Sequence, residues 1–232
     1  MINMISLYIT IHTTKTIERQ VLFQWCIKNA ALQKVPVYLI YDEDTEKENI
    51  DFAQKYGIET IKVVNIKDSG FSKVKTAFEH CKNKYCAILQ DDDYFNPIRL
   101  MFIYEILQKV DQEYALIKTT TFMMRNGIVL GLQGPKEKCL TPPSTWIINK
   151  EIVKTIDDYE ILLPLKWGWD KALALQFGQK GDVLWIDRPL SYYTYSDEQA
   201  TNDFSDEYKQ WCDKEIEKYA KNFKKINIDV VN

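Results

Sequence analysis

The chain of 232 residues is 46% hydrophobic and 27% charged, the balance of an ordinary globular protein with a sizeable core. A formal net charge of -3 supplies no electrostatic footprint for nucleic acid. The five cysteines are scattered and odd in number, so they read as free thiols rather than a disulfide frame or a zinc site. With only His12 and His80, a histidine triad or zinc centre is excluded as a leading idea. No apolar run approaches the ~20 residues of a membrane span. The opening Met-Ile-Asn-Met-Ile-Ser lacks a basic region and a cleavage site, so no signal peptide is read there and the expected location is cytoplasmic.

Ile5 to Ile11 reads as a first strand, and Ile17 to Ala31 follows with a helical period. Val35 to Tyr41 is a second strand that ends in Asp42, Glu43 and Asp44. Ile50 to Tyr56 reads as a helix stopped by Gly57, and Glu59 to Asn65 as a third strand. Gly70 to Lys82 is a helix leading into the short strand Cys86 to Leu89. This alternation predicts a mostly parallel sheet with helices on both faces. Pro97 to Val110 is a further helix. Two strands, Tyr114 to Met124 and Ile128 to Leu132, flank an Arg-Asn-Gly turn. Gly131 to Pro143 lacks periodicity and reads as a loop, suited to a lid. Beyond it come a strand at Ser144 to Ile148, a short helix at Lys150 to Ile156, a helix at Trp167 to Gly178, a strand at Val183 to Ile186 and an amphipathic helix at Phe204 to Phe223.

The most informative segment is Gln90-Asp91-Asp92-Asp93-Tyr94-Phe95-Asn96-Pro97. Three adjacent carboxylates stand where a buried strand stops, and that rim of an open α/β sheet is where ligands bind. Carboxylates about 4 Å apart repel by roughly 4 kcal/mol at an effective dielectric near 20. A hard divalent cation relieves the repulsion and bridges to phosphate oxygens. A helix cap would need one acid, not three.

The ordered set of a first strand ending in polar residues, an acid closing the second strand, an acid cluster followed by Pro97, and a late Gly168-Trp169-Asp170 resembles the inverting family 2 glycosyltransferases of the GT-A fold. The resemblance covers about Ile5 to Ser196. It implies a Rossmann-like central sheet with a smaller mixed acceptor-side sheet and a C-terminal amphipathic helix. It divides the chain into a nucleotide-sugar half at 1–97, an acceptor and catalytic half at 98–200 and a helical tail at 201–232. It also implies transfer of one sugar from a nucleotide diphosphate donor, with UDP favoured, to a hydroxyl of a glycan or lipid-linked glycan, as in surface-polysaccharide assembly.

Residue by residue, the resemblance implies that Thr10, Ile11 and His12 line the base and that Asp42 recognises it; a carboxylate can accept an imide N–H of uracil. Lys73 and Lys75 become candidates for the diphosphate. Aligning Pro97 with the family's proline puts Asp92 and Asp93 on its last two acids and Gln90 on its first, a departure from the usual Asp. In another register Asp91 contacts ribose, and Asp92 is the Mn2+ or Mg2+ ligand under both; an Asp91-x-Asp93 register is the third option. Asp170 is the expected general base, with Trp146, Trp167 and Trp169 on the acceptor wall. The family often has a late basic residue or histidine at the phosphate, and no histidine follows Asp170; Lys171, Arg188 or a tyrosine of Tyr192 to Tyr195 are the substitutes. The lysines ending the C-terminal helix suit packing against the domain and leave peripheral contact with the inner membrane face open. Two rival readings are a nucleotidyltransferase, against which the glycine-free segment after the first strand argues, and a non-catalytic nucleotide-sugar or glycan-binding module of the same fold.

Overall fold

The computed structural model describes residues 2–11, 16–63, 70–125, 127–135, 142–157, 162, 164–165, 167–195 and 204–231. In chain order the strands are β1 (Ile5–Thr10), β2 (Val37–Tyr41), β3 (Glu59–Lys62), β4 (Tyr85–Gln90), β5 (Tyr94–Phe95), β6 (Leu116–Arg125), β7 (Ile128–Gln133), β8 (Ile147–Asn149), β9 (Val183–Tyr195) and β10 (Ile228–Val231). The helices are α1 (Ile17–Ala31), α2 (Lys47–Lys55), α3 (Phe71–His80), α4 (Arg99–Leu107), α5 (Lys150–Val153), α6 (Trp169–Lys180) and α7 (Asp206–Ala220).

All ten strands form one sheet, in the order β10-β9-β6-β8-β4-β1-β2-β3, with β5 added to β9 and β7 to β6. The expected separate acceptor-side sheet is therefore corrected: those strands continue the main sheet through β8, which runs antiparallel to both β4 and β6. The first half, β4-β1-β2-β3, is parallel, as the alternation predicts.

Buried alternation along the strands sorts the core into two layers. Leu7, Ile9, Ala87 and Leu89 face Phe23, Cys26 and Ile27 of α1 and Leu100 and Ile103 of α4. Tyr8, Cys86 and Ile88 face Phe71, Val74 and Phe78 of α3 and Trp169, Leu173 and Phe177 of α6. Strands buried on both faces read as continuous apolar runs, which is the composition of β1 and β4. The C-terminal helix α7 packs onto the second layer through Cys212 and Ile216, one turn apart. Trp211, next to Cys212 in the same helix, is exposed.

Strand β9 is far longer than the expected Val183 to Ile186. Asp187-Arg188-Pro189 reads as a break, yet the pairing with β6 resumes beyond it: Thr119 sits opposite Ile186 and Thr120 opposite Pro189. The proline falls at a register shift, where a strand tolerates a missing N–H. Among the described residues no helix is long and apolar enough to cross a membrane.

Candidate functional site

Thr10 pairs with both Ile40 and Gln90, so β1 and β4 end in one row and β2 one residue beyond it. The residues leaving that row are Ile11, Asp42 and Asp91 to Asp93. The sheet register alone thus brings the two acid segments of the sequence to one edge.

On the β2 side, Lys73 of α3 reaches over the row. Its ammonium contacts Asp42 Oδ2 at 2.6 Å and donates to the Ile11 carbonyl. Against the upward push of burial, this ammonium and the Thr45 hydroxyl hold Asp42 below the usual carboxylate range. Lys75 points elsewhere and pairs with Glu79 one turn along the same helix. The structure therefore brings Lys73 to the site and leaves Lys75 on the outer face. Thr10 is buried at the strand end, and His12 lies outside the described residues.

On the β4 side, the acid turn is held by three elements. Arg19, in the first turn of α1, donates to Asp92 Oδ2 at 2.6 Å and to both oxygens of Asp91 at 3.2 and 3.3 Å. Burial would lower the guanidinium, but Asp91 and Asp92 outweigh it and raise it further, so Arg19 stays charged. Asp93 turns inward. Its Oδ1 accepts the Thr194 backbone N–H at 2.7 Å and its Oδ2 the Ser144 hydroxyl. Burial and the neighbouring Asp92 push Asp93 well above the usual range, only partly offset by those two donors. Beside it, Tyr94 stacks on Tyr192, which stacks on Phe122, with centroids 4.5 and 5.0 Å apart.

Asp170 enters from α6. Gly168 caps that helix in the left-handed region at φ 76°, and a Cβ there would meet Ile216 Cδ1 at 2.9 Å. Glycine is thus favoured by the left-handed turn, while the Ile216 methyl, at the end of a flexible side chain, can shift aside. Asp170 accepts the Lys171 N–H at 2.9 Å, and Lys171 ties α6 to Asp213 of α7 at 3.1 Å. Burial raises Asp170, while the fields of Lys118 and Lys171 oppose the rise. The Tyr193 hydroxyl is pushed up strongly, first by burial, then by Asp93, Asp92, Tyr195 and Asp170.

The three tryptophans divide. Trp167 is half-buried, and Trp169 is buried with its ring 6.2 Å from Phe71. Trp146 is fully buried, edge-on to Phe177 at 5.6 Å, in the core layer that also holds Trp169 and Leu173. Among the substitutes for a late basic residue, Lys171 is committed to Asp213.

Sequence reasoning misses Arg19, Ser144 and Thr194. Arg19 leaves one trace. A basic residue in the first turn of a helix opposes the helix dipole, so it needs a carboxylate nearby. Ser144 and Thr194 leave none, since their roles arise where β4, a 3-10 turn (Pro143–Thr145) and β9 meet. Among the described residues no group of three His, Cys, Asp or Glu side chains is placed to hold a metal ion; the positive charge between Asp91 and Asp92 is the Arg19 guanidinium.

No family model matches the chain, and no curated protein matches it. Among solved structures it is similar to S. aureus TarS residues 1–349 in complex with UDP-GlcNAc, with a TM-score of 0.71 at 12% identity over 95% of this chain and 67% of that one. The same TarS fragment in complex with UDP gives 0.70 at 14% identity, covering 95% and 66%. TarS as a longer chain gives 0.63 at 15% identity, with 95% of this chain against 44% of it. Two thirds of the TarS fragment, and under half of the longer TarS chain, thus correspond to this protein. At such identities the likeness is one of fold: over 95% of its length this chain is similar in fold to TarS.

Proposed function

We propose that this chain is a nucleotide-sugar glycosyltransferase of the GT-A type, of the inverting family 2 kind. The observation that supports it best is the common sheet edge where β1, β2 and β4 end, which carries both the Asp42–Lys73 pair and the acid turn held by Arg19. The likeness to a fold seen with UDP and UDP-GlcNAc supports a UDP-sugar donor.

In this reading Asp42 and Lys73 hold the base and the adjoining donor atoms. Asp92 would hold a divalent cation, which supplies positive charge to the departing diphosphate. Asp170 takes the proton of the acceptor hydroxyl. The acceptor oxygen bonds to the anomeric carbon as the bond from that carbon to the diphosphate oxygen breaks. Attack from the face opposite the leaving group inverts the centre. The raised position of Asp170 matches a base that must hold a proton briefly. Trp167 supplies an apolar face beside the base, where a glycan or lipid-linked glycan would lie.

Thermal unfolding with UDP, GDP, CDP and dTDP, each with and without Mn2+, tests the donor site. A ligand at a hundred times its dissociation constant stabilises by about 2.7 kcal/mol. The expected result is a metal-dependent rise with one nucleotide, lost in Asp92→Asn, and transfer from the matching sugar lost in Asp170→Asn. No shift with any nucleotide, or transfer intact in both variants, overturns the reading. Release of pyrophosphate instead of nucleoside diphosphate would make the chain a nucleotidyltransferase.

A further inference from the structure

We infer that Arg19 is a built-in counter-ion that occupies the cation position of the acid turn and has to be displaced before a divalent ion binds there. The inference rests on the proposed function only for placing that ion at Asp92; its test needs neither nucleotide nor transfer.

Arg19 spans both acids, with Nη1 on Asp92 and Nη2 on Asp91. All three side chains are nearly sealed from solvent, with exposures of 9% for Arg19, 1% for Asp91 and 11% for Asp92. A planar guanidinium offers several donors in a fixed fork, which suits it to two carboxylates at once. Its place on α1 is otherwise unfavourable, since the first turn of a helix repels a cation. The acids therefore account for its being there.

A divalent ion at Asp92 would lie within a few ångströms of this guanidinium, and two cations so close in a poorly solvated site repel strongly. The ion and Arg19 thus compete for the same oxygens. Among the described residues no group of three His, Cys, Asp or Glu side chains is arranged around an ion, because the carboxylates of the turn are directed at Arg19, Ser144 and the Thr194 N–H instead. A bare ion then binds weakly. A diphosphate arriving with the ion gives Arg19 another anion to face, so ion and donor enter together rather than in sequence. Arg19 would act as a positioning residue and a gate, not as a base or a metal ligand.

The test is Mn2+ binding to the full chain without nucleotide, read from the electron paramagnetic resonance signal of free Mn2+. Arg19→Gln is expected to bind Mn2+ at least about tenfold more tightly than the wild type, or about 1.4 kcal/mol. Arg19→Lys, a point charge that meets one acid at a time, is expected in between. Adding Asp92→Asn to Arg19→Gln is expected to remove the gain. Equal affinity in wild type and Arg19→Gln overturns the inference, as does a gain that survives Asp92→Asn. If Arg19→Gln does not fold without metal, Arg19→Lys decides alone, and an affinity equal to wild type overturns it.

Discussion

Strands β1 and β4 bury Ile5, Leu7, Ile9, Ala87, Ile88 and Leu89, while β6 and β9, in the same sheet, bury Lys118, Thr119, Thr120, Thr121, Ser191 and Thr194. The apolar half needs no partners beyond its ladder and its helices. The polar half is stitched by side chains: Thr119 and Thr121 both meet Ser191, at 3.2 and 2.8 Å, and Trp185 and Asp187 both meet Thr120. Arg99, fully buried with burial pulling it down to about 9, donates to Thr119 and to the Thr145 carbonyl and lies 3.8 Å from the Phe95 ring. Buried polar groups cost stability unless each is satisfied, and at best they roughly break even with apolar packing. The comparison teaches that the first half of the sheet is packed by apolar side chains on both faces, and that the second adds to its own apolar core a polar seam behind the site.

Breaking the comparison starts at the seam's working end. Asp170→Asn is expected to lower transfer about 10²- to 10⁴-fold, while UDP still raises the melting temperature. In the proposed reaction the ionised carboxylate is the base, so the wild-type rate should fall as pH falls. That acid limb should lie above the ordinary carboxylate range, because burial raises Asp170. A rate profile flat through that region would remove Asp170 from the chemistry.

In the apolar half, Leu7→Ala should cost about 2–5 kcal/mol, read from the urea midpoint. Leu7 is fully buried between α1 and α4, and little can collapse into the space it leaves. A loss under about 1 kcal/mol there, judged against the same range, would mean that this half is not close-packed by its apolar side chains.

The Asp42–Lys73 pair sharpens the boundary between the halves. Lys73→Met leaves a largely buried carboxylate without its cation and should cost about 1–3 kcal/mol at neutral pH. Asp42 is held below its ordinary value of 3.8, so the pair's stabilisation is present above that value and is lost as pH falls through the lower, folded one. The wild type should therefore lose more stability than Lys73→Met on acidification below about pH 5. Parallel pH curves would show that the pair contributes nothing.

The smallest effect belongs to the seam itself. Thr121→Val preserves shape and leaves Ser191 its contact with Thr119, so a cost of about 0.5–1.5 kcal/mol is expected. A cost equal to that of Leu7→Ala would erase the difference between the halves.

The sequence made the apolar half nearly transparent. Continuous runs such as Ile5 to Ile11 and Cys86 to Leu89 have one physical outcome, a strand covered on both faces, and their flanking helices follow from periodicity. The acid cluster was legible for the same reason, since such a run ends abruptly in charge. The seam was not. Pro189 reads as the end of a strand until its register shift is seen, and β5 and β10 are too short to announce themselves without β9 beside them. Trp146 misleads because an aromatic after a proline-rich loop fits a binding wall and a core equally well, and only the path of the chain separates the two. Arg19 was hidden because its partners lie more than seventy residues away, beyond any local pattern.

The nearly even ends of β1, β2 and β4 carry a consequence for divergence. Each loop leaves from a fixed edge, with Thr10, Ile40 and Gln90 in one row. A substitution or insertion in the loops after Thr10 or Tyr41 does not shift the register of the strands behind them, so the acids after Gln90 keep their place. A lineage can therefore rewrite its recognition loops one at a time and retain a working frame, the kind of freedom that lets two chains share this fold at 12% identity.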